Sequence, residues 1–206
     1  MTNREFVEDT LVIATHNDGK MEEFKKLFSD YPFRILSAKN IGLAEPEETE
    51  DSFVGNAILK ARAAAFKSNK PALSDDSGLC VKTLNGAPGI HSARWAGPSR
   101  DFKIAMERVN NALLASKSYD KRAKFVCALA LVWPDGESLS VEGTVKGELT
   151  FPPKGEKGFG YDPIFQPAGH TISFGEMEPS YKHAISHRAI AFEKLIKLCF
   201  KKINDN

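Results

Sequence analysis

A hairpin signal sits inside a chain whose other strands alternate with helices, and that combination narrows the fold more than any other feature. Lys124–Trp133 and Leu139–Val145 are β-rich runs joined by Pro134-Asp135-Gly136, a turn sequence. Elsewhere the period switches from element to element. Leu11–Thr15 (LVIAT) reads as a strand, His16–Lys20 as a polar turn, and Phe24, Leu27 and Phe28 recur at i, i+3, i+4, the stripe of an amphipathic helix. Arg34–Ser37 reads as a second strand. Ser52 is a candidate N-cap for a helix through about Lys67 that carries Phe53, Ala57, Ala61 and Ala65 on one face. The alanine density predicts close packing against a neighbour. Ala72–Ser74 starts a strand that runs into the turn sequence Asp75-Asp76-Ser77-Gly78, and Leu79–Val81 reads as a further strand. Asp101 caps a helix with Ile104, Ala105, Val109 and Leu113 on one face, and Ile185, Ala189, Phe192, Ile196 and Cys199 mark the last one. Hairpin and crossover signals together predict an α/β fold with a mixed sheet. The 206 residues suit one large domain or two small lobes, and no repeat, linker or composition shift divides them.

Charge and apolar content remove several function classes. Lys+Arg 28 against Asp+Glu 27 leaves +1, too little to draw the chain to DNA, RNA or an anionic membrane. The longest apolar run, Phe125–Trp133, falls far short of the roughly 20 residues that span a bilayer. The opening MTNREFVEDT mixes charges of both signs and has no apolar core, so it is not a secretory signal. Cys80, Cys127 and Cys199 are odd in number, far apart and lack any CxxC pair. They read as free thiols in a reducing cytosol rather than as a zinc site. The expectation is a cytoplasmic protein with no nucleic-acid polymer and no membrane as partner.

Three constellations could carry chemistry. Thr15, Asn17, Gly19 and Lys20 lie between a strand and a helix. Unpaired N–H groups, the positive end of the helix dipole and a lysine favour an anion there, although GxxxxGK[ST] is absent and a plain turn with an exposed lysine fits equally. The second constellation is acidic: Glu47, Glu48, Glu50 and Asp51, then Asp75 and Asp76. Neighbouring side chains on a strand face opposite ways, so one of the two aspartates can face a site while the other supports the loop. Such a carboxylate suits Mg²⁺, which takes one or two protein carboxylates and keeps water and phosphate as its other ligands. A solvated acidic loop and an Asx turn are the plainer readings. The third is Phe159-Gly160-Tyr161-Asp162, with Lys182 and Ser186-His187-Arg188 downstream. An aromatic face can stack on a base, Asp accepts from ring N–H groups, and His, Arg and Lys donate to carbonyls or phosphates.

The motifs also come in one order: LVIATHNDGK, EETEDSFVGNAILKA, ALSDDSGLCV, GAPGIHSARWAG, GFGYDPIF and KHAISHRAIAF. Across nearly the whole chain this order closely resembles the inosine/xanthosine triphosphate pyrophosphatase family. The resemblance implies a single two-lobed domain over residues 1–206, a long central mixed sheet flanked by helices, a cleft between the lobes, and a homodimer. It implies Mg²⁺-dependent hydrolysis of ITP, dITP and XTP to the monophosphate and pyrophosphate, cleansing the nucleotide pool. It assigns Thr15, His16, Asn17, Asp18, Gly19 and Lys20 to the triphosphate, and Glu48 and Asp76 to the metal. Asp76 is also implied as proton acceptor and Ser77 as a substrate contact. Phe159, Gly160, Tyr161, Asp162, Lys182, His187 and Arg188 are implied as base and phosphate contacts, with Phe159 stacking.

The chain departs from the pattern at Gly55, where many members have Glu, at His16, where Gly or Ser is commoner, and at His91 and Trp95 in place of tyrosines. Selectivity is expected from donors on His187 and Arg188, which match the C6 carbonyl of inosine or xanthosine and conflict with the C6 amino group of adenine. Two other readings remain at this point: a Maf-like nucleotide pyrophosphatase with another base preference, and a nucleotide-binding module without catalysis.

Overall fold

In a computed structural model of the chain, described for residues 4–200, strands and helices interleave as β1 (Thr10–Ile13), α1 (Asp18–Leu27), β2 (Arg34–Ser37), α2 (Phe53–Ser68), β3 (Ala72–Val81), α3 (Phe102–Ser116), β4 (Arg122–Val132), β5 (Ser138–Leu149), β6 (Phe165–Pro167), α4 (Pro179–Ala184) and α5 (His187–Cys199). The strands form one sheet in the order β2-β1-β3-β4-β5-β6. β1 is parallel to β2 and to β3, with Val12 opposite Ala72, while β5 and β6 are antiparallel. The sheet is therefore mixed, as the coexisting hairpin and crossover signals predict. Among the described residues no helix is long and apolar enough to cross a membrane.

The chain divides into two compact units. The first gathers the residues up to Asp76 with Cys127–Gly143 and the stretch from Ala189 on; the second is Ser77–Val126 with Thr144–Arg188. In the first unit, strand alternation sends side chains to two separate cores. Leu11, Ile13, Leu73, Cys127, Leu129 and Leu131 join Phe24, Phe28, Phe192 and Leu195 from α1 and α5. Val12, Ala72, Ala128, Ala130 and Val132 join Ala57, Ala61, Ala64 and Ala65 of α2. Both sheet faces are thus covered, and small residues on α2 and on the strands let the helix lie close. The Ser74 hydroxyl reaches the Ala57 carbonyl at 2.5 Å across that contact. The second unit has one core, in which Ala105, Met106, Val109 and Leu113 of α3 pack on Leu79, Val81, Phe125, Phe165 and Phe174.

Local signals hold at the caps. The Ser52 hydroxyl accepts from the Gly55 N–H at 3.1 Å, and Asn69 closes α2 in the left-handed region. The Asp101 carboxylate accepts from the Lys103 N–H and starts α3. At the hairpin the Gly136 N–H bonds to the Trp133 carbonyl.

Three expectations are corrected. Asp75-Asp76-Ser77-Gly78 is not a turn; it is the middle of β3, which runs unbroken from Ala72 to Val81. Ile185 does not belong to the last helix, because it ends α4, and α5 begins two residues later at His187. The short strand β6, whose Phe-Gln-Pro sequence carries no periodic signal, pairs with the end of β5 and was not expected.

Candidate active site

β1 delivers the anion loop to the start of α1. The Thr15 hydroxyl accepts from the Asn17 N–H (3.2 Å), and Asn17 is the N-cap of α1, its Oδ1 accepting from the Lys20 N–H (3.1 Å). The polar turn is therefore a capped helix start, with its free dipole end and Gly19 in the first turn. The Lys20 ammonium lies 2.9 Å from Asp75 on β3. Asp18 points to solvent and pairs with Lys39. His16 turns away from the loop, its Nε2 lying 2.8 Å from the Leu43 carbonyl in the segment that leads to Glu48.

Asp75 and Asp76 do face opposite ways, and each meets a different cation. Asp75 faces Lys20; Asp76 faces α2, where the Lys60 ammonium stands 3.5 Å from its Oδ1 and 2.5 Å from Glu48 Oε1. The Asn56 amide donates to Asp76 Oδ2 at 3.3 Å. Glu48 and Asp76, 28 positions apart, are thus brought onto one cation in the first unit. Burial raises the Asp76 carboxyl above the ordinary aspartate range, with Glu48 and Asp75 pushing the same way and Lys60 and Lys20 opposing. Burial acts downward on the Lys60 ammonium, but the three surrounding carboxylates outweigh it, and its pKa is raised.

Neither Lys60 nor Asn56 was singled out from the sequence. The available signal was two polar residues, four apart and so on one face of a helix whose neighbouring stripe is alanine.

Mg²⁺ suits this donor set. Two hard carboxylate oxygens already gather around a positive charge, and Mg²⁺ commonly takes no more than one or two such ligands from protein. Among the described residues no group of three or more His, Cys, Asp or Glu side chains forms a complete protein cage.

The second unit holds the other constellation. Asp162 Oδ2 accepts from the Phe159 N–H at 2.8 Å and from the Lys182 ammonium at 2.6 Å, with both side chains of the ion pair buried. Gly158, at φ +76°, makes this possible, since a Cβ there would lie 2.1 Å from Asp162 Oδ2. Lys182 also sits over the Phe159 ring at 4.5 Å and the Phe174 ring at 5.8 Å. Phe159 remains 38% exposed, so part of its ring is open to a ligand. Tyr161 is buried, and its hydroxyl donates to the Ser92 carbonyl at 2.9 Å, which ties the Gly160-Tyr161 segment to the loop after β3. Burial pushes that phenol well above the ordinary tyrosine range and keeps it a donor. His187 stacks on Phe125 with centroids 4.9 Å apart, and Arg188 Nη2 donates to the Ser77 hydroxyl at 3.3 Å.

The Ham1 family model matches residues 11–198. The dITP/XTP pyrophosphatase of Rhodospirillum centenum is 59% identical over 198 residues, 96% of this chain and 98% of its own length. That of Caulobacter vibrioides is 58% identical over 185 residues, 90% of this chain and 95% of its own. The solved structure of a HAM1 protein from Coxiella burnetii superposes with a TM-score of 0.87 at 38% identity, covering 92% of this chain and 98% of that one. The Staphylococcus aureus Ham1 protein superposes with a TM-score of 0.81 at 41% identity, covering 90% and 95%.

Proposed function

The chain belongs to the Ham1 family, and from that premise we propose that it hydrolyses deaminated purine nucleoside triphosphates (ITP, dITP and XTP) to the monophosphate and pyrophosphate. The observation that carries the chemistry is the meeting of Glu48 and Asp76 on one buried cation, with Lys20 one strand position away on Asp75. The Maf-like and non-catalytic readings are not favoured, since full-length relatives at 58–59% identity carry the dITP/XTP pyrophosphatase name.

A carboxylate base beside a triphosphate is opposed by the phosphate charge: two unit charges 4 Å apart repel by about 4 kcal/mol at an effective dielectric of 20. Lys20 and Lys60 offset part of that. Glu48 and Asp76 would hold Mg²⁺, which when bound supplies a divalent charge that joins phosphates to carboxylates and acidifies water. Asp76 takes the proton as water oxygen bonds to the α-phosphorus. The bond from the α-phosphorus to the bridging oxygen breaks, and Lys20 stabilises the departing pyrophosphate.

Phe159 stacks on the base, and His187 and Arg188 donate to its C6 carbonyl. Adenine presents donors there instead, and each mismatched buried group costs roughly 1–3 kcal/mol, about 5- to 150-fold. A cytoplasmic setting is supported by three cysteines that are all unbridged. The homodimer follows the family resemblance, and light scattering at twice 22.7 kDa is its check.

Pyrophosphate release from ITP, XTP, GTP and ATP, with and without Mg²⁺, tests the reading. ITP and XTP are expected to be cleaved in the presence of the metal and ATP to be spared. Preference for ATP, or metal-independent turnover, contradicts it.

A further inference from the structure

Asn56 lies in the first turn of α2 and is 1% exposed. Its backbone N–H already bonds to the Ser52 carbonyl, so the helix does not need its side chain. The amide uses both ends. Oδ1 accepts from the Glu50 backbone N–H at 3.1 Å, and Nδ2 donates to Asp76 Oδ2 at 3.3 Å. This orientation of the amide is dictated by its partners, because a backbone N–H only donates and a carboxylate only accepts. One turn further on, Lys60 takes the other oxygen of Asp76 and holds Glu48. The two carboxylate oxygens are thus divided between a neutral donor and a cation. Two residues from Glu48, the loop is pinned to the same helix turn. Gly55 permits that approach, since a Cβ there would lie 2.8 Å from Glu50 Cβ.

We propose that Asn56 is a positioning residue for the hydrolysis, one amide that aims Asp76 Oδ1 and holds the Glu48 loop against α2. The inference rests on the pyrophosphatase reading above. The amide carries its acceptor and its donor on two separate atoms of one carbonyl carbon, so its two bonds separate by substitution. Asn56→Asp keeps an oxygen for the Glu50 N–H and loses the donor to Asp76. Asn56→Ala loses both.

The test measures kcat and KM for ITP with Mg²⁺ alongside amide hydrogen exchange at Glu50, in wild type, Asn56→Asp and Asn56→Ala, with circular dichroism melts to confirm folding. In wild type the Glu50 N–H exchanges slowly. Asn56→Asp retains that protection while kcat falls about 10- to 100-fold, the range for a hydrogen bond to a charged group, with KM little changed. Asn56→Ala loses the protection as well. Wild-type kcat in Asn56→Asp, or unchanged Glu50 exchange in Asn56→Ala, overturns the inference and leaves the pyrophosphatase reading standing. A wild-type protein that releases no pyrophosphate from ITP or XTP overturns both.

Discussion

Among the described residues each unit buries one lysine on a carboxylate, and the two pairs differ in what surrounds them. In the first unit Lys60 is ringed by carboxylates, lying on Glu48 and Asp76 with Asp75 near enough to raise its pKa. In the second, Lys182 lies 2.6 Å from Asp162 and is roofed by the rings of Phe159 and Phe174. An excess of anionic oxygen around a single positive charge has room for further cation, which is what a metal–triphosphate site requires. An ion pair under aromatic rings offers shape and directed hydrogen bonds, which is what base recognition would use. In the proposed reading the same chemical pair serves reaction in one unit and selection in the other.

The largest effects expected are on stability, and they distinguish the two pairs directly. Lys182→Met leaves Asp162 buried without its cation and should cost about 3–5 kcal/mol, with no relief from magnesium. Lys60→Met should cost a similar amount in metal-free buffer, and added Mg²⁺ should restore part of it. Urea unfolding with and without MgCl₂ measures both; equal responses to the metal would erase the distinction.

Base recognition gives the next effect. Phe159→Ala removes the stacking face, worth about 1–3 kcal/mol per base, so KM for ITP should rise about 5- to 150-fold while kcat stays within a few-fold. A fall in kcat at constant KM would move Phe159 into the chemistry and blur the division between units. The smallest effect is expected at His16, which holds the Leu43 carbonyl rather than facing the anion loop. His16→Phe should cost about 0.5–1.5 kcal/mol, one hydrogen bond, and His16→Gln should recover most of it; thermal melts read both. If both variants instead raise KM strongly, the imidazole contacts substrate.

Elements defined by local chemistry were legible in the sequence: the strand, polar turn and helix at the N-terminus, the Ser52 cap, the alanine face of α2, and the hairpin. The failures share a cause. Ser-Asp-Asp-Ser-Gly has the composition of a turn, yet it stays in an extended strand because Lys20 on one side and Lys60 on the other give each aspartate a partner. That pairing comes from helices remote in sequence. Lys60 and Asn56 escaped notice for the same reason, as their roles appear only once α2 lies against β3. For the candidate site, residue types and motif order carried the assignments of Glu48, Asp76 and Phe159. The sequence alone did not reveal that Asn17 spends its side chain on capping α1, or that Tyr161 turns its hydroxyl to Ser92.

The most direct measurement is ITP binding and turnover by Asp76→Asn. If Asp76 is the base and the second unit selects the nucleotide, this variant binds ITP within a few-fold of wild type while pyrophosphate release drops by about 10²- to 10⁴-fold. Turnover close to wild type would contradict the account.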